Sequence, residues 1–113
     1  MRIIIARLTL LCLFFLAASA QAQQDYYIDV TNNTGYTIFY LNVSPGDAQS
    51  WEEDVLGDEV IMTGDTVRVD LTGYNSPIFD VRAIDEDGDS YTFFGINVAE
   101  QDLVITLADL DVE

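Results

Sequence analysis

Short runs in which apolar and polar residues alternate recur along the chain after residue 22, and they predict β-strands. Near the middle of the chain, Val67, Val69 and Leu71 share one face. The residues between them, Arg68 and Asp70, share the other face. Turn residues separate the runs at short intervals, which favours an all-β fold over one with helical layers. The predicted strands cover residues 26–31, 36–43, 59–62, 66–72, 78–84, 90–98 and 103–110.

This pattern predicts a single small antiparallel β-sandwich of the Ig-like or Greek-key type, with about seven strands. The second run, residues 36–43, is rich in aromatic and β-branched residues and alternates throughout. Its more apolar alternate set is predicted to face the core, and this set consists of Thr37, Phe39, Leu41 and Val43.

The alternation stops between residues 44 and 59. Ser50 and Glu53 have the spacing of a helix capping box, and Gly57 suits the position that follows a helix C-terminus. We therefore expect one short helical turn near residues 51–56, at one end of the sandwich.

The first 22 residues differ from the rest of the chain. Arg2 and Arg7 form a positive region before an apolar run at residues 8–18, and Ala20 and Ala22 form an A-x-A cleavage signal. The run is about half as long as the ~20 residues that span a bilayer. The pattern predicts a cleaved signal peptide at 1–22 and one mature domain at 23–113, exported to the periplasm or the extracellular space, with no membrane attachment after cleavage.

Charge narrows the range of partners. All 20 acidic residues lie after residue 22, where only Arg68 and Arg82 are basic, and the whole chain has a net charge of −16. Such a chain should repel nucleic acid and anionic lipid, because both are bound through Lys and Arg. The charge favours a divalent cation or a basic protein as partner, or else serves solubility in salty surroundings. Arg82 is expected to pair with a nearby carboxylate.

The residue inventory argues against an enzyme. The sequence has no His and no Lys, and its only cysteine, Cys12, lies in the predicted signal peptide. A Ser-His-Asp triad, a thiol nucleophile and a His/Cys zinc site are therefore impossible in the mature domain. A hydrolase that uses only carboxylates remains as a third hypothesis. We predict no catalytic residues and a small, acidic, monomeric binding or structural module.

The acidic run at residues 85–89, "DEDGD", lies between two predicted strands and contains Gly88, as a hairpin turn would. Asp85, Asp87 and Asp89 alternate, so they could also bind Ca²⁺, the one cofactor that the sequence suggests. The acidic segment 52–59 could add ligands from Asp54 and Asp58.

An EF-hand is excluded, because its first and twelfth positions would be Ala83 and Phe94. A simple turn and a turn that binds a cation both remain open.

Four segments together resemble a recurrent group of small exported bacterial proteins: "NNTGYTI" from residue 32, "SP" at 44–45, "WEEDVLGD" from residue 51 and "DVRAIDEDGDSYTF" from residue 80. The resemblance covers most of the mature chain and implies a small β-sandwich and export, but no activity. The label argininosuccinate lyase, which sequences of this appearance can carry by transfer, does not fit. That enzyme class is large and helical, with His and Lys in its sites.

Overall fold

The computed structural model describes residues 24–112, and the predicted signal peptide lies outside them. The strands are β1 (Gln24–Asn33), β2 (Ile38–Pro45), β3 (Thr66–Tyr74), β4 (Ile78–Asp85), β5 (Ser90–Asn97) and β6 (Leu103–Thr106). A 3-10 turn follows at Leu107–Asp109. No helix between residues 24 and 112 has the length and apolarity to cross a membrane. The all-β, sandwich-like fold predicted from the alternation is confirmed, with six strands where about seven were expected.

The strands form two three-stranded sheets. Sheet A has the order β3-β1-β6, and sheet B has the order β2-β4-β5. All neighbours are antiparallel except β1 and β6, which run parallel. The predicted inward faces of β3 and β4 are confirmed, since Val69 and Leu71 on one sheet and Phe79, Val81 and Ala83 on the other are buried.

The predicted core face of β2 is only half right. Leu41 and Val43 are buried, but Phe39 is 42% exposed and Ile38 is buried in its place. The pairing of β2 with β4 is irregular between Ile38 and Tyr40. A β-bulge inserts one extra residue and therefore reverses the direction of every side chain on one side of it.

The helical turn predicted near residues 51–56 is wrong, since this segment contains no helix. Its hydrogen bonds go instead to β2: the Val55 N–H donates to the Leu41 carbonyl (2.8 Å), and the Leu41 N–H donates to Asp54 Oδ1 (2.8 Å). These long-range bonds replace the local bonds that a helix would need. The predicted strand 59–62 is reduced to one bridge, between Ile61 and Ile38.

Both outer edges of sheet B are covered. The segment containing Asp54 and Ile61 lies along β2, as described above. At the other edge, the chain after the 3-10 turn lies against β5, where the Asp111 N–H donates to the Ser90 carbonyl (2.9 Å). The Asp111 carboxylate also accepts hydrogen bonds from the hydroxyl groups of Ser90 (2.7 Å) and Thr92 (2.6 Å).

Candidate functional site

The acidic run forms a tight hairpin turn between β4 and β5. The Asp85 N–H donates to the Asp89 carbonyl (2.9 Å), and the Gly88 N–H donates to the Asp85 carbonyl (3.0 Å). Gly88 has φ of +84°, a conformation that glycine adopts with little strain. The turn interpretation of this run therefore agrees with its backbone geometry.

The carboxylate of Asp85 organises this turn from inside. Asp85 is only 3% exposed. Its Oδ1 accepts hydrogen bonds from the N–H groups of Asp87 and Asp89, each at 3.0 Å. Its Oδ2 accepts the hydroxyl of the buried Tyr91 at 2.9 Å. Burial, together with this bond to a carboxylate, raises the pKa of Tyr91 to about 12.

The raised pKa of Tyr91 predicts a loss of stability at alkaline pH. Tyrosine in the unfolded chain ionises near pH 10, whereas folded Tyr91 stays neutral until about pH 12. Its contribution is therefore complete below pH 10, and about 2–3 kcal/mol is lost as the pH rises to 12. Urea unfolding between pH 8 and 12 measures this, and Tyr91→Phe is expected to flatten that part of the profile. An unchanged profile in Tyr91→Phe would assign the alkaline loss to other groups.

The structure brings the three predicted metal ligands together. One carboxylate oxygen from each of Asp85, Asp87 and Asp89 lies within 4.8 Å of the others. Within residues 24–112 this is the one group of three or more potential metal-ligating side chains. Asp54 and Asp58 do not join it, and Asp54 instead uses its Oδ1 to accept two backbone N–H groups beside β2.

A second candidate site lies along β3. Two adjoining depressions of about 730 Å³ and about 380 Å³ share Val55, Val69 and Asp70. Together they extend beside β3 from residue 67 to residue 74, with residues 51–60 as the opposite wall. We call this feature the β3 groove. Sequence patterns do not reveal it, because one wall is the segment predicted as a helix and the other depends on the strand order.

Carboxylates surround the β3 groove. Glu52, Glu53, Glu59 and Asp70 line it and are exposed. The hydroxyl of Tyr74, at one end, donates to Glu52 Oε1 (3.1 Å), and burial together with that bond raises the pKa of Tyr74. The groove therefore has apolar surface at its base and negative charge along its rim.

Arg68 also borders the groove, but its charge is already paired. Its Nε donates to Asp29 Oδ1 (2.8 Å) on the neighbouring strand β1, and its guanidinium lies 4.0 Å from the centre of the Tyr27 ring. The hydrogen bonds from Arg68 hold the pKa of Asp29 below its usual value. Both contacts draw the arginine towards β1, so it does not neutralise the acidic rim.

The expected ion pair of Arg82 does not occur among the described residues. Its neighbours across sheet B are Asn42 and Thr92, and its guanidinium lies 5.0 Å from the centre of the Trp51 ring. The interaction with an aromatic face stabilises the cation. Although burial opposes it, hydrogen bonds from Thr92 and Ser90 and the charge of Arg82 lower the pKa of Asp111.

No family model, curated protein sequence or solved structure matches the chain. The fold and the two sites define a small, acidic, all-β domain of sandwich type. The resemblance to small exported bacterial proteins stays a prediction.

Proposed function

We propose that the chain is an exported, non-catalytic binding module whose β3 groove receives a positively charged partner. The observation that carries this proposal is the rim of four exposed carboxylates along a groove whose neighbouring arginine is paired with Asp29. Charge of one sign along a groove concentrates ions and partners of the opposite sign. Complementary charges also guide the orientation in which such a partner associates.

The carboxylates of the groove favour binding over carboxylate-only hydrolysis. Such a hydrolase needs one acid that its surroundings keep protonated beside a second that stays ionised. Glu52, Glu53 and Asp70 are exposed, and the half-buried Asp54 has its Oδ1 bonded to two backbone N–H groups. The one buried acid among the described residues, Asp85, is committed to the hairpin turn.

Titration with a flexible peptide of alternating lysine and glycine tests this proposal, with the fluorescence of Trp51 as the signal. Trp51 is the only tryptophan and lines the groove. We expect binding that weakens as salt is added, because exposed charges are screened. The variant Glu53→Gln/Glu59→Gln removes two rim charges and should weaken binding about fivefold.

The variant Asp89→Asn/Glu100→Gln is the matched control, because both residues are exposed and neither lines the groove. It should change the affinity less than the groove variant does. Equal losses in the two double variants would mean that only net charge attracts the peptide, and the groove would then have no special role.

Calcium binding at the acidic turn is a second candidate function, favoured by the 4.8 Å clustering of the Asp85, Asp87 and Asp89 oxygens. Asp87 and Asp89 are exposed. Asp85 Oδ2 accepts one hydrogen bond and keeps a second lone pair. These three side chains supply fewer oxygens than the six to eight that calcium takes, so waters and backbone carbonyls would complete the shell.

Thermal unfolding tests the calcium hypothesis when EDTA is compared with millimolar calcium at matched ionic strength. Binding at a hundred times Kd should stabilise the native state by about 2.7 kcal/mol. Asp87→Asn/Asp89→Asn should remove that gain, whereas Asp47→Asn/Asp58→Asn should retain it. A calcium effect no larger than that of a monovalent salt would reject the site.

A further inference from the structure

The hydrogen-bonding direction of β1 shows which groups of β3 face outward. The Asn32 N–H donates towards β3, to the Asp65 carbonyl (3.0 Å), whereas the Asp29 N–H donates to Asp102 Oδ1 (3.2 Å) on the β6 side. Even-numbered residues of β1 therefore bond to β3, and odd-numbered residues bond to the other side. Because Asp29 lies opposite Arg68, the backbone groups of Arg68 point away from β1.

Asp70 faces the same way, since residues two apart on a strand point their backbone groups to the same side. The Thr72 N–H confirms this direction, because it donates to Asp70 Oδ1 (3.1 Å) and not to β1. Within residues 24–112, no backbone group pairs with the outward N–H and C=O groups of Arg68 and Asp70. These four groups have the spacing that an added strand would use.

The β3 groove provides room beside this edge. Its far wall is bonded to β2 through Val55, and Ile61, which follows the wall, also bonds to β2. No backbone hydrogen bond joins residues 51–61 to β3. Val55 and Val60 on that wall are each 45% exposed, which is high for valine next to a hydrophobic core. A strand placed here would cover both side chains and satisfy the edge of β3.

We propose that an extended, basic polypeptide segment binds in the β3 groove by adding a fourth strand to sheet A, next to β3. This inference rests on the proposed function and specifies its partner. In a segment that alternates lysine with valine, one face would cover Val55 and Val60, and the other would place ammonium groups near Glu53, Glu59 and Asp70. A second copy of the chain is disfavoured as occupant, because each copy has a net charge of −16.

The test compares two synthetic seven-residue peptides of equal charge, one alternating lysine with valine and the other alternating lysine with glycine. We expect the valine peptide to bind at least about tenfold more tightly, because it gains apolar burial and prefers an extended chain. Hydrogen exchange measured by NMR should show slowed exchange of the Arg68 and Asp70 amides. N-methylation of the peptide N–H groups that face β3 should remove most of the difference.

A protein variant tests the same hydrogen bonds from the other side. Asp70→Pro removes one outward N–H, and proline is tolerated on an edge strand where that N–H faces solvent. This variant should weaken the binding of the lysine–valine peptide about tenfold. Asp70→Asn keeps the N–H, so it should lose only the electrostatic contribution of Asp70 to peptide binding. That loss should be smaller than the loss in Asp70→Pro. Circular dichroism checks that both variants fold. If Asp70→Pro does not fold, the N-methylated peptide provides the test with the unmodified protein.

The outcomes separate this inference from the proposed function. If both peptides bind equally and N-methylation has no effect, the acidic groove attracts cations but strand addition is wrong. If neither peptide binds, the proposed function is wrong as well. If the protein dimerises and the Arg68 and Asp70 amides are protected without peptide, the occupant is a second copy and the proposed basic partner is overturned.

Discussion

Replacing Asp85 with alanine is expected to lower the free energy of unfolding by about 3–5 kcal/mol. The side chain accepts three hydrogen bonds, from the N–H groups of Asp87 and Asp89 and from the hydroxyl of Tyr91. The Tyr91 hydroxyl donor is buried and would lose its partner, and the turn would lose the acceptor that holds its two amides. Hydrogen bonds to a charged acceptor contribute about 1.5–3 kcal/mol each and are only partly additive.

Urea unfolding of Asp85→Ala, followed by circular dichroism, measures the loss. Asp87→Ala is the matched control, because Asp87 lies in the same turn but is exposed and should change stability by less than about 0.5 kcal/mol. Asp85→Asn should be intermediate, since its carbonyl oxygen still accepts the two amides. Equal effects of Asp85→Ala and Asp87→Ala would contradict the structural role of the buried carboxylate.

Replacing Asn32 with alanine should cost a similar amount, about 3–4 kcal/mol. Asn32 is completely buried, and its amide Nδ2 donates to the carbonyls of Tyr36 (2.7 Å) and Ile61 (2.8 Å). Its Oδ1 accepts the N–H (3.0 Å) and the hydroxyl (2.8 Å) of Thr34. All four hydrogen-bonding capacities of the side chain are therefore satisfied, and alanine would leave buried groups without partners.

Chemical denaturation of Asn32→Ala measures this cost, with Asn33→Ala as the control, because Asn33 is the adjacent residue of the same type but is exposed. Asn32→Asp should be at least as harmful as Asn32→Ala, because it removes both N–H donors and places a negative charge opposite two carbonyl oxygens. A loss for Asn32→Ala as small as that for Asn33→Ala would show that this network adds little to stability.

The fold class could be predicted because β-strands have a local signature. The alternation at Val69 and Leu71, and at Phe79, Val81 and Ala83, identifies the buried faces without any knowledge of the partner strands. The two incorrect predictions, for the core face of β2 and for the helical turn, also have physical causes. The bulge in β2 exchanged Phe39 for Ile38 in the core, and the capping-box pattern at Ser50 was overridden by bonds between residues 54–55 and β2.

The candidate sites were predicted less completely. The three aspartates at 85–89 do lie together, because they occupy one short turn. Their different burial was not predicted, although the alternation of β4 continues to Asp85 and places it on the same buried face as Val81 and Ala83. The hydrogen-bond network of Asn32 was not predicted, because its partner Ile61 is far away in the chain.

The sequence by itself determined the alternation of the strands, the turn at Gly88 and the absence of histidine, lysine and cysteine from residues 23–113. These properties depend on residue type or on neighbours within a few positions. Only the tertiary structure decided which strand edges are covered, which groups donate hydrogen bonds to the buried Asp85 carboxylate and that a groove runs beside β3. The open edge at Arg68 and Asp70 exists because β3 pairs with β1 alone, and strand order depends on contacts between distant parts of the chain.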